Sequence, residues 1–227
     1  MFRRLLLVLT LLLVSGCYRE ATPATAGDSP QQKIVDRSAA AVTRMRESGH
    51  FPGMEYFVQN ARGVLVFPRL IKASFIFGGE GGNGVLLARK DDGGWSAPAF
   101  YSLGAGSAGF QPGYQEATVV LFFMNDAALM SAINKGLTLG ADASVAAGTL
   151  GDSGEATSAK TSKDLYEFAD VGGLFAGVAL DGTVVAAREE FNRAYYGPEA
   201  TTLGIVVQHQ FEAPGATPLE LALAPKR

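Results

Sequence analysis

The sequence is poor in the side chains on which most catalytic and metal-binding sites depend. Its 227 residues include one cysteine, Cys17, two histidines, His50 and His209, and one tryptophan, Trp95. A single cysteine excludes disulfide bonds within the chain and sites built from several thiolates. The two histidines lack the spacing of a zinc site. We therefore expect no metal ion and no cofactor.

Charged residues are also scarce, at 18% of the chain, and the formal net charge is −3. A mildly acidic chain lacks the basic footprint of a nucleic-acid-binding protein, so we expect no nucleic acid partner. In contrast, 48% of the residues are hydrophobic and 28 are glycines. This composition predicts one substantial core and many tight turns between short strands.

The first 16 residues have the pattern of a signal peptide. Arg3 and Arg4 precede an apolar run at residues 5–14 that is too short to span a bilayer. The following LVSGC at residues 13–17 resembles the bacterial lipobox, which implies cleavage before Cys17 and attachment of lipid, such as palmitate, to that residue. An ordinary secretory peptide with an incidental cysteine is the alternative.

We therefore expect an exported protein that is lipid-anchored to the bacterial membrane. Tyr18 stands where an aspartate would retain a lipoprotein at the inner membrane, which favours the outer membrane, facing the periplasm. Residues 17–32 are rich in Ala, Thr, Pro and Ser without apolar periodicity, and we interpret them as a flexible tether. Residues 33–225 are then a single domain.

A helix is predicted over residues 31–48, because Ser29 and Pro30 form a typical helix start. At about 100° per residue its apolar and basic side chains separate onto two sides. The apolar side holds Ile34, Val35, Val42 and Met45, and the basic side holds Lys33, Arg37 and Arg44. The helix could lie on anionic lipid. Alternatively, it packs its apolar side on the domain and leaves its polar side in solvent.

The rest of the chain predicts an α+β fold whose core is a mainly antiparallel, strongly bent, barrel-like β-sheet with a few peripheral helices. Residues 93–113, which include Trp95, contain no charged side chain, and we expect them to form the central strand of the sheet. Residues 63–71 are a strand that Pro68 interrupts, which fits an edge or a bulge. We interpret the glycine-rich residues 78–83 as a hairpin connection, and residues 137–147 as another strand.

Two serines lie in motifs typical of hydrolases. Ser107 belongs to a degenerate G-x-S-x-G at residues 105–109, and Ser153 to a GDSG at residues 151–154. The first motif requires a strand-to-helix turn, which Pro112 and the glycine after it prevent. The same proline argues against the G-x-G-x-x-G at residues 104–109 as a dinucleotide site. None of these motifs has the sequence context of a catalytic site, and a hydrolase remains only as an alternative.

Several long motifs together resemble the SYLF family of lipid-binding domains over about residues 35–225. They are GVLVFP at 63–68, GGWSAPAF at 93–100, MN at 124–125, LGADASVAAG at 139–148, GLFAGV at 173–178 and AYYG at 194–197. The resemblance implies a non-enzymatic domain. Eukaryotic members bind phosphoinositides, chiefly through a basic N-terminal helix, and a yeast branch binds actin. Bacterial members are commonly exported lipoproteins.

These observations lead to one hypothesis and, besides the hydrolase, one alternative. The hypothesis is a membrane-anchored, non-enzymatic protein that binds anionic phospholipid or phosphoinositide-type headgroups. The candidate contacts are Lys33, Arg37, Arg44, Arg69 and Lys72. The alternative is an envelope lipoprotein with a structural or partner-binding role and no specific lipid recognition.

Overall fold

The computed structural model describes residues 29–74, 77–108, 113–148, 163–175 and 180–226. The predicted signal peptide, Cys17 and Ser153 lie outside these residues, as does the side chain of Ser107. Within these ranges, no helix combines the length and the apolar character that crossing a membrane requires.

Nine strands of the described chain form one sheet. They are β1 (Gly63–Ser74), β2 (Phe77–Ala88), β3 (Ala99–Ala108), β4 (Gly113–Phe123), β5 (Leu137–Thr138), β6 (Val145–Ala147), β7 (Leu165–Val171), β8 (Leu174–Phe175) and β9 (Val184–Ala187). The order is β5-β9-β3-β2-β1-β4-β7-β6, with β8 paired to β7. Every pairing among these strands is antiparallel except that of β6 with β7.

The sheet is strongly bent, as the sequence predicted. Its outermost strands, β5 and β6, are separated by only six residues, 139–144. A flat sheet of eight strands at about 4.8 Å spacing would be roughly 34 Å wide, whereas the chain from Thr138 to Val145 reaches about 25 Å at most. The sheet must therefore curl until its two edges approach each other, and a bridge between Leu139 and Ala143 lies at that point.

Six α-helices of the described chain pack on the two faces of the sheet, and each face forms a separate hydrophobic core. They are α1 (Pro30–Glu47), α2 (Met54–Asn60), α3 (Asp126–Lys135), α4 (Glu189–Tyr196), α5 (Thr202–Val206) and α6 (Thr217–Ala222). One core joins α3 and α5 to the sheet face of Leu65 and Leu121. The other joins α1, α2 and α6 to the opposite face, which carries Val64 and Val120. Helix α1 begins as predicted, since the Ser29 hydroxyl accepts a hydrogen bond from the Gln32 N–H.

The prediction of a hairpin connection at residues 78–83 is wrong. This glycine-rich run lies inside β2 and pairs with β1 on one side and β3 on the other, as in Gly81 with Ile71 and Gly104. Glycines usually indicate turns, but here the neighbouring strands supply their hydrogen bonds. The predicted strand at residues 137–147 is likewise divided, into β5 and β6, and Trp95 precedes β3 rather than belonging to it.

Pro68 produces a bulge, as predicted, but in an interior strand. The pairing of β1 with β2 shifts between Val66 and Arg69, so that Gly84 faces the extra residues. A Cβ atom on Gly84 would lie 2.3 Å from the carbonyl oxygen of Val66. The bulge therefore requires a residue without a side chain at position 84.

One carboxylate connects α3, β6 and β7. Asp164 accepts hydrogen bonds from the Ser144 N–H, the Ser144 hydroxyl and the Asn125 amide, each at 2.8 Å. The bonds from Ser144 are the main reason why the pKa of Asp164 lies below its usual 3.8. Because the folded pKa is the lower one, the stabilisation is complete above 3.8 and is lost as the pH falls through the folded value.

We therefore expect Asp164→Asn to lower the free energy of unfolding at neutral pH by about 1–2 kcal/mol. The variant should also lose less stability than the parent between about pH 5 and pH 2. Urea denaturation at several pH values measures both effects, with the exposed turn variant Asp91→Asn as the control. Equal pH dependence of Asp164→Asn and the parent would contradict the role of this carboxylate.

Candidate anion-binding cleft

Helix α1 packs its apolar side against the sheet. Val35, Val42 and Met45 are at most 1% exposed and belong to the core that α1 shares with α2 and α6. The packing interpretation of this helix is therefore correct for its apolar side. The three basic side chains of α1 that were predicted as lipid contacts, Lys33, Arg37 and Arg44, are exposed.

A cleft of about 330 Å³ lies between α1 and the bulged region of the sheet. Its lining comprises Arg37, Ala40, Ala41, Arg44, Pro68, Arg69 and Glu116. The structure thus brings together three of the five predicted contact residues, Arg37, Arg44 and Arg69. We call this site the arginine cleft.

Arg44 connects the arginine cleft to the end of β7. Its Nε lies 3.4 Å from Oδ2 of Asp170, and its Nη2 donates to the hydroxyl of Thr118 at 3.2 Å. The Asp170 side chain is only 7% exposed, whereas that of Arg44 is 56% exposed. Arg44 therefore neutralises a buried carboxylate and still presents much of its guanidinium group to solvent.

Arg69 and Glu116 form a second ion pair within the cleft. The two side chains are 3.0 Å apart between Nη2 and Oε2, and both are about half exposed. The hydrogen bond from Arg69 is the main reason why the pKa of Glu116 is lowered, so the carboxylate is charged at neutral pH. The hydroxyl of Tyr114, a residue 64% exposed, lies within hydrogen-bond distance of both.

Arg37 differs from the other two arginines. Among the described residues it makes no ion pair within 4.0 Å, although Glu116 is near enough to feel its charge. Three guanidinium groups thus line the cleft, and two of them pair with carboxylates, one with Glu116 in the lining and one with the buried Asp170 beside it. The positive charge of Arg37 is left without a partner in the described chain. Guanidinium groups bind phosphate and carboxylate oxygens through paired hydrogen bonds.

The remaining two predicted residues do not line the arginine cleft. Lys33 is exposed further toward the start of α1. Lys72 lies on the sheet face opposite α1, because residues two apart in a strand share a face and Leu70 belongs to the other core. There its Nζ lies 3.5 Å from Oε2 of Glu80, whose side chain is 5% exposed. The structure therefore separates Lys72 from Arg69.

Sequence reasoning missed the acidic members of the site. Glu116 reaches Arg69 only because β1 and β4 pair, and Asp170 reaches Arg44 only because β7 lies beside β4. Both depend on contacts between residues distant in sequence. Among the described residues, no group of three or more His, Cys, Asp or Glu side chains could hold a metal ion.

A family model described as "Ysc84: Las17-binding protein actin regulator" matches residues 104–225, just over half of the chain. Protein YSC84 of Saccharomyces cerevisiae is 34% identical over 168 residues, which are 72% of this chain and 36% of the yeast protein. LAS seventeen-binding protein 3 of the same yeast is 33% identical over 166 residues, 71% of this chain and 36% of the relative.

SH3 domain-containing YSC84-like protein 1 of Rattus norvegicus is 35% identical over 143 residues, which cover 62% of this chain and 42% of the rat protein. The chain therefore spans less than half the length of each of these relatives. The family description and the name of LAS seventeen-binding protein 3 refer to binding and regulation rather than to catalysis. Arg37, Arg44 and Arg69 precede the part of the chain that the family model matches.

Proposed function

The chain belongs to the Ysc84 family, also called SYLF, and from this premise we propose that it is a non-enzymatic protein that binds anionic lipid headgroups at a bacterial envelope membrane. The arginine cleft is the observation that carries the proposal. Arg37 is available to an incoming phosphate, and Arg44 and Arg69 can each share their guanidinium hydrogen bonds with it.

The surroundings of the cleft also suit a membrane surface. Tyr114 is one of the most exposed large side chains of the described chain and lies beside Arg69. Tyrosine is enriched where proteins meet lipid headgroups, because its ring is apolar and its hydroxyl is polar. Because the apolar side of α1 packs on the sheet, we expect the helix to contact the membrane through its basic side, without inserting into the bilayer.

The lipid anchor proposed at Cys17 would keep the cleft close to the membrane. The chain from residue 17 to residue 29 reaches about 40 Å at most when extended. A tether of this length holds α1, which begins at Pro30, within reach of the headgroups and raises their effective concentration. Even a modest affinity of the arginine cleft would then suffice for a stable contact with the outer membrane.

We expect Arg37→Gln to weaken binding to anionic vesicles about fivefold, because each basic residue near such a surface contributes about 1 kcal/mol. The experiment uses residues 18–227, so that the predicted lipid anchor at Cys17 does not itself bind the vesicles. Co-sedimentation with phosphatidylglycerol vesicles, compared with phosphatidylcholine vesicles, measures the effect. Arg193→Gln on the exposed surface of α4 is the control with the same change in charge.

The variant Glu116→Gln tests the same site with the opposite sign. Loss of this carboxylate releases Arg69 and raises the charge of the cleft by one, so binding should become stronger. The effects of Arg37→Gln and Glu116→Gln on vesicle binding should both become smaller as the salt concentration rises, because exposed charges are screened beyond about 8 Å at physiological ionic strength.

A role in binding a protein partner is the second candidate, favoured by the name of the relative LAS seventeen-binding protein 3. In that role the arginine cleft is a solvated surface, and Arg44 serves to neutralise the buried carboxylate of Asp170. Equal binding of the parent, Arg37→Gln and Glu116→Gln to anionic vesicles would refute the arginine cleft as a lipid site, and absence of vesicle binding by the parent as well would refute the lipid function and favour this candidate.

A further inference from the structure

A second cleft of about 440 Å³ continues the arginine cleft toward β3, because Arg37, Pro68 and Arg69 line both. Its other polar side chains are those of Asn83 and Ser102. No acidic side chain of the described chain lines it. We call this second cleft the polar arm of the arginine cleft, and its volume is within the usual range of small-molecule sites.

The bulge at Pro68 places the polar side chains of this arm in one row across three strands. Beyond the bulge, Arg69 on β1 pairs with Asn83 on β2, and Asn83 pairs with Ser102 on β3. Directly paired residues share a face of the sheet, with Cβ atoms about 4.5–5.5 Å apart. Without the extra residue of the bulge, Pro68 would stand opposite Asn83, so the bulge brings Arg69 into the row.

The Asn83 side chain is held so that its N–H groups remain available to a ligand. Its Oδ1 accepts a hydrogen bond from Nη1 of Arg188 at 2.8 Å, whereas its Nδ2 has no hydrogen-bond partner in the described chain. Arg188 is itself held in place, because it pairs with Glu190 at 2.7 Å and stacks on the ring of Phe191. A charged donor on the oxygen also polarises the amide, which strengthens its N–H groups as donors.

The polar arm therefore suits neutral oxygen atoms rather than an amine. The Ser102 hydroxyl makes only a long hydrogen bond of 3.5 Å to the carbonyl of Ala186, so it adds a second group for a ligand hydroxyl. The acidic member of the arginine cleft, Glu116, lies on β4, on the other side of β1 from Asn83. An ammonium group in the polar arm would thus meet arginines and find no carboxylate.

We propose that the polar arm binds the hydroxyl-bearing substituent of a phosphodiester whose phosphate lies on Arg37 and Arg69, and that Asn83 recognises its hydroxyl groups. The inference rests on the proposed function and deepens it, because it names the class of headgroup, of which phosphoglycerol is the simplest. The protein then distinguishes among lipids of equal charge. Free glycerol phosphodiesters carry the same chemistry, and the experiment separates them from lipid.

The test compares vesicles that contain phosphatidylglycerol with vesicles that contain the same fraction of phosphatidylethanol, a phosphodiester of equal charge without hydroxyl groups. Residues 18–227 should bind the first about fivefold more tightly, which is the effect of about one hydrogen bond. Asn83→Ala should remove this preference and leave binding to phosphatidylethanol vesicles unchanged. Ser102→Ala, which leaves the contact with Arg188 intact, should reduce the preference about twofold. Asn60→Ala, the same substitution at an exposed position of α2, should retain it.

Glycerophosphoglycerol, the deacylated headgroup, identifies the source of the ligand. It should displace the protein from phosphatidylglycerol vesicles with an affinity at least about tenfold weaker than that of the vesicles, because it lacks the surrounding surface charge. An affinity equal to that of the vesicles would assign the site to free glycerol phosphodiesters and overturn the lipid part of the inference.

The remaining outcomes separate the inference from the proposed function. Equal binding of the parent to phosphatidylglycerol and phosphatidylethanol vesicles refutes the polar arm as a hydroxyl site, and the lipid function still stands if Arg37→Gln weakens both. A preference that persists in Asn83→Ala refutes the role of Asn83. Absence of binding to either kind of vesicle refutes the proposed function itself.

Discussion

Gly84→Ala is expected to lower the free energy of unfolding by about 3 kcal/mol, as an overpacked interior does. The new methyl carbon would lie 2.3 Å from the Val66 carbonyl oxygen and 2.6 Å from the Phe67 ring. Neither neighbour can move easily, because Val66 and Phe67 are fully buried in interior strand β1. Urea denaturation followed by circular dichroism measures the change.

The matched control is Gly106→Ala, the same substitution in the neighbouring strand β3. Its Cβ position has nothing within 4 Å, so alanine there should be neutral or should stabilise the fold by about 0.5 kcal/mol, through loss of freedom in the unfolded chain. The pair separates the effect of the bulge from the general effect of removing glycine from a strand. Equal stabilities of the two variants would show that the strand accommodates a side chain beside Pro68.

Features that depend on neighbouring residues could be predicted from the sequence. The start of α1 follows from the hydroxyl of Ser29 and the fixed backbone angle of Pro30, and its apolar face follows from helical periodicity. The bulge follows from the missing N–H of Pro68. The bent antiparallel sheet follows from many short strands with tight connections. In each case the physical cause lies within a few residues of its effect.

Features that depend on pairing between distant strands could not be predicted. The glycines at residues 78–83 have the composition of a turn, and only the flanking strands β1 and β3 make them part of a sheet. Similarly, Glu116 joins Arg69 only because β1 pairs with β4, whereas the opposite faces of Arg69 and Lys72 follow from strand alternation alone. The basic residues of the site could therefore be predicted as candidates, but not their grouping.

The charges of the arginine cleft show why its acidic residues matter as much as its basic ones. Glu116 and Asp170 reduce the attraction of the cleft for any anion, but they hold two guanidinium groups in fixed positions. A positioned arginine loses less side-chain freedom on binding phosphate than a free one. The cleft thereby favours a ligand that reaches several guanidinium groups at once over one that is merely negative.

Met45→Asp is expected to unfold the domain altogether. Met45 is 1% exposed in the core beneath α1. Its loss removes about 2–5 kcal/mol of packing, and a buried carboxylate adds several more. Because domains are stable by only about 5–15 kcal/mol, little or no folded protein should remain. The neighbouring exposed Thr43→Asp should change stability by no more than about 0.5 kcal/mol.

The expected unfolding of Met45→Asp bears on function because the apolar side of α1 cannot pack on the core and insert into lipid at the same time. If Met45 belongs to the core, both the lipid-binding and the partner-binding hypotheses require a docked α1, and unfolding of Met45→Asp cannot distinguish them. The variant Arg37→Gln, on the exposed side of the same helix, can distinguish the two hypotheses. A wild-type unfolding transition in Met45→Asp, together with loss of vesicle binding, would instead mean that α1 leaves the sheet and inserts its apolar side into lipid.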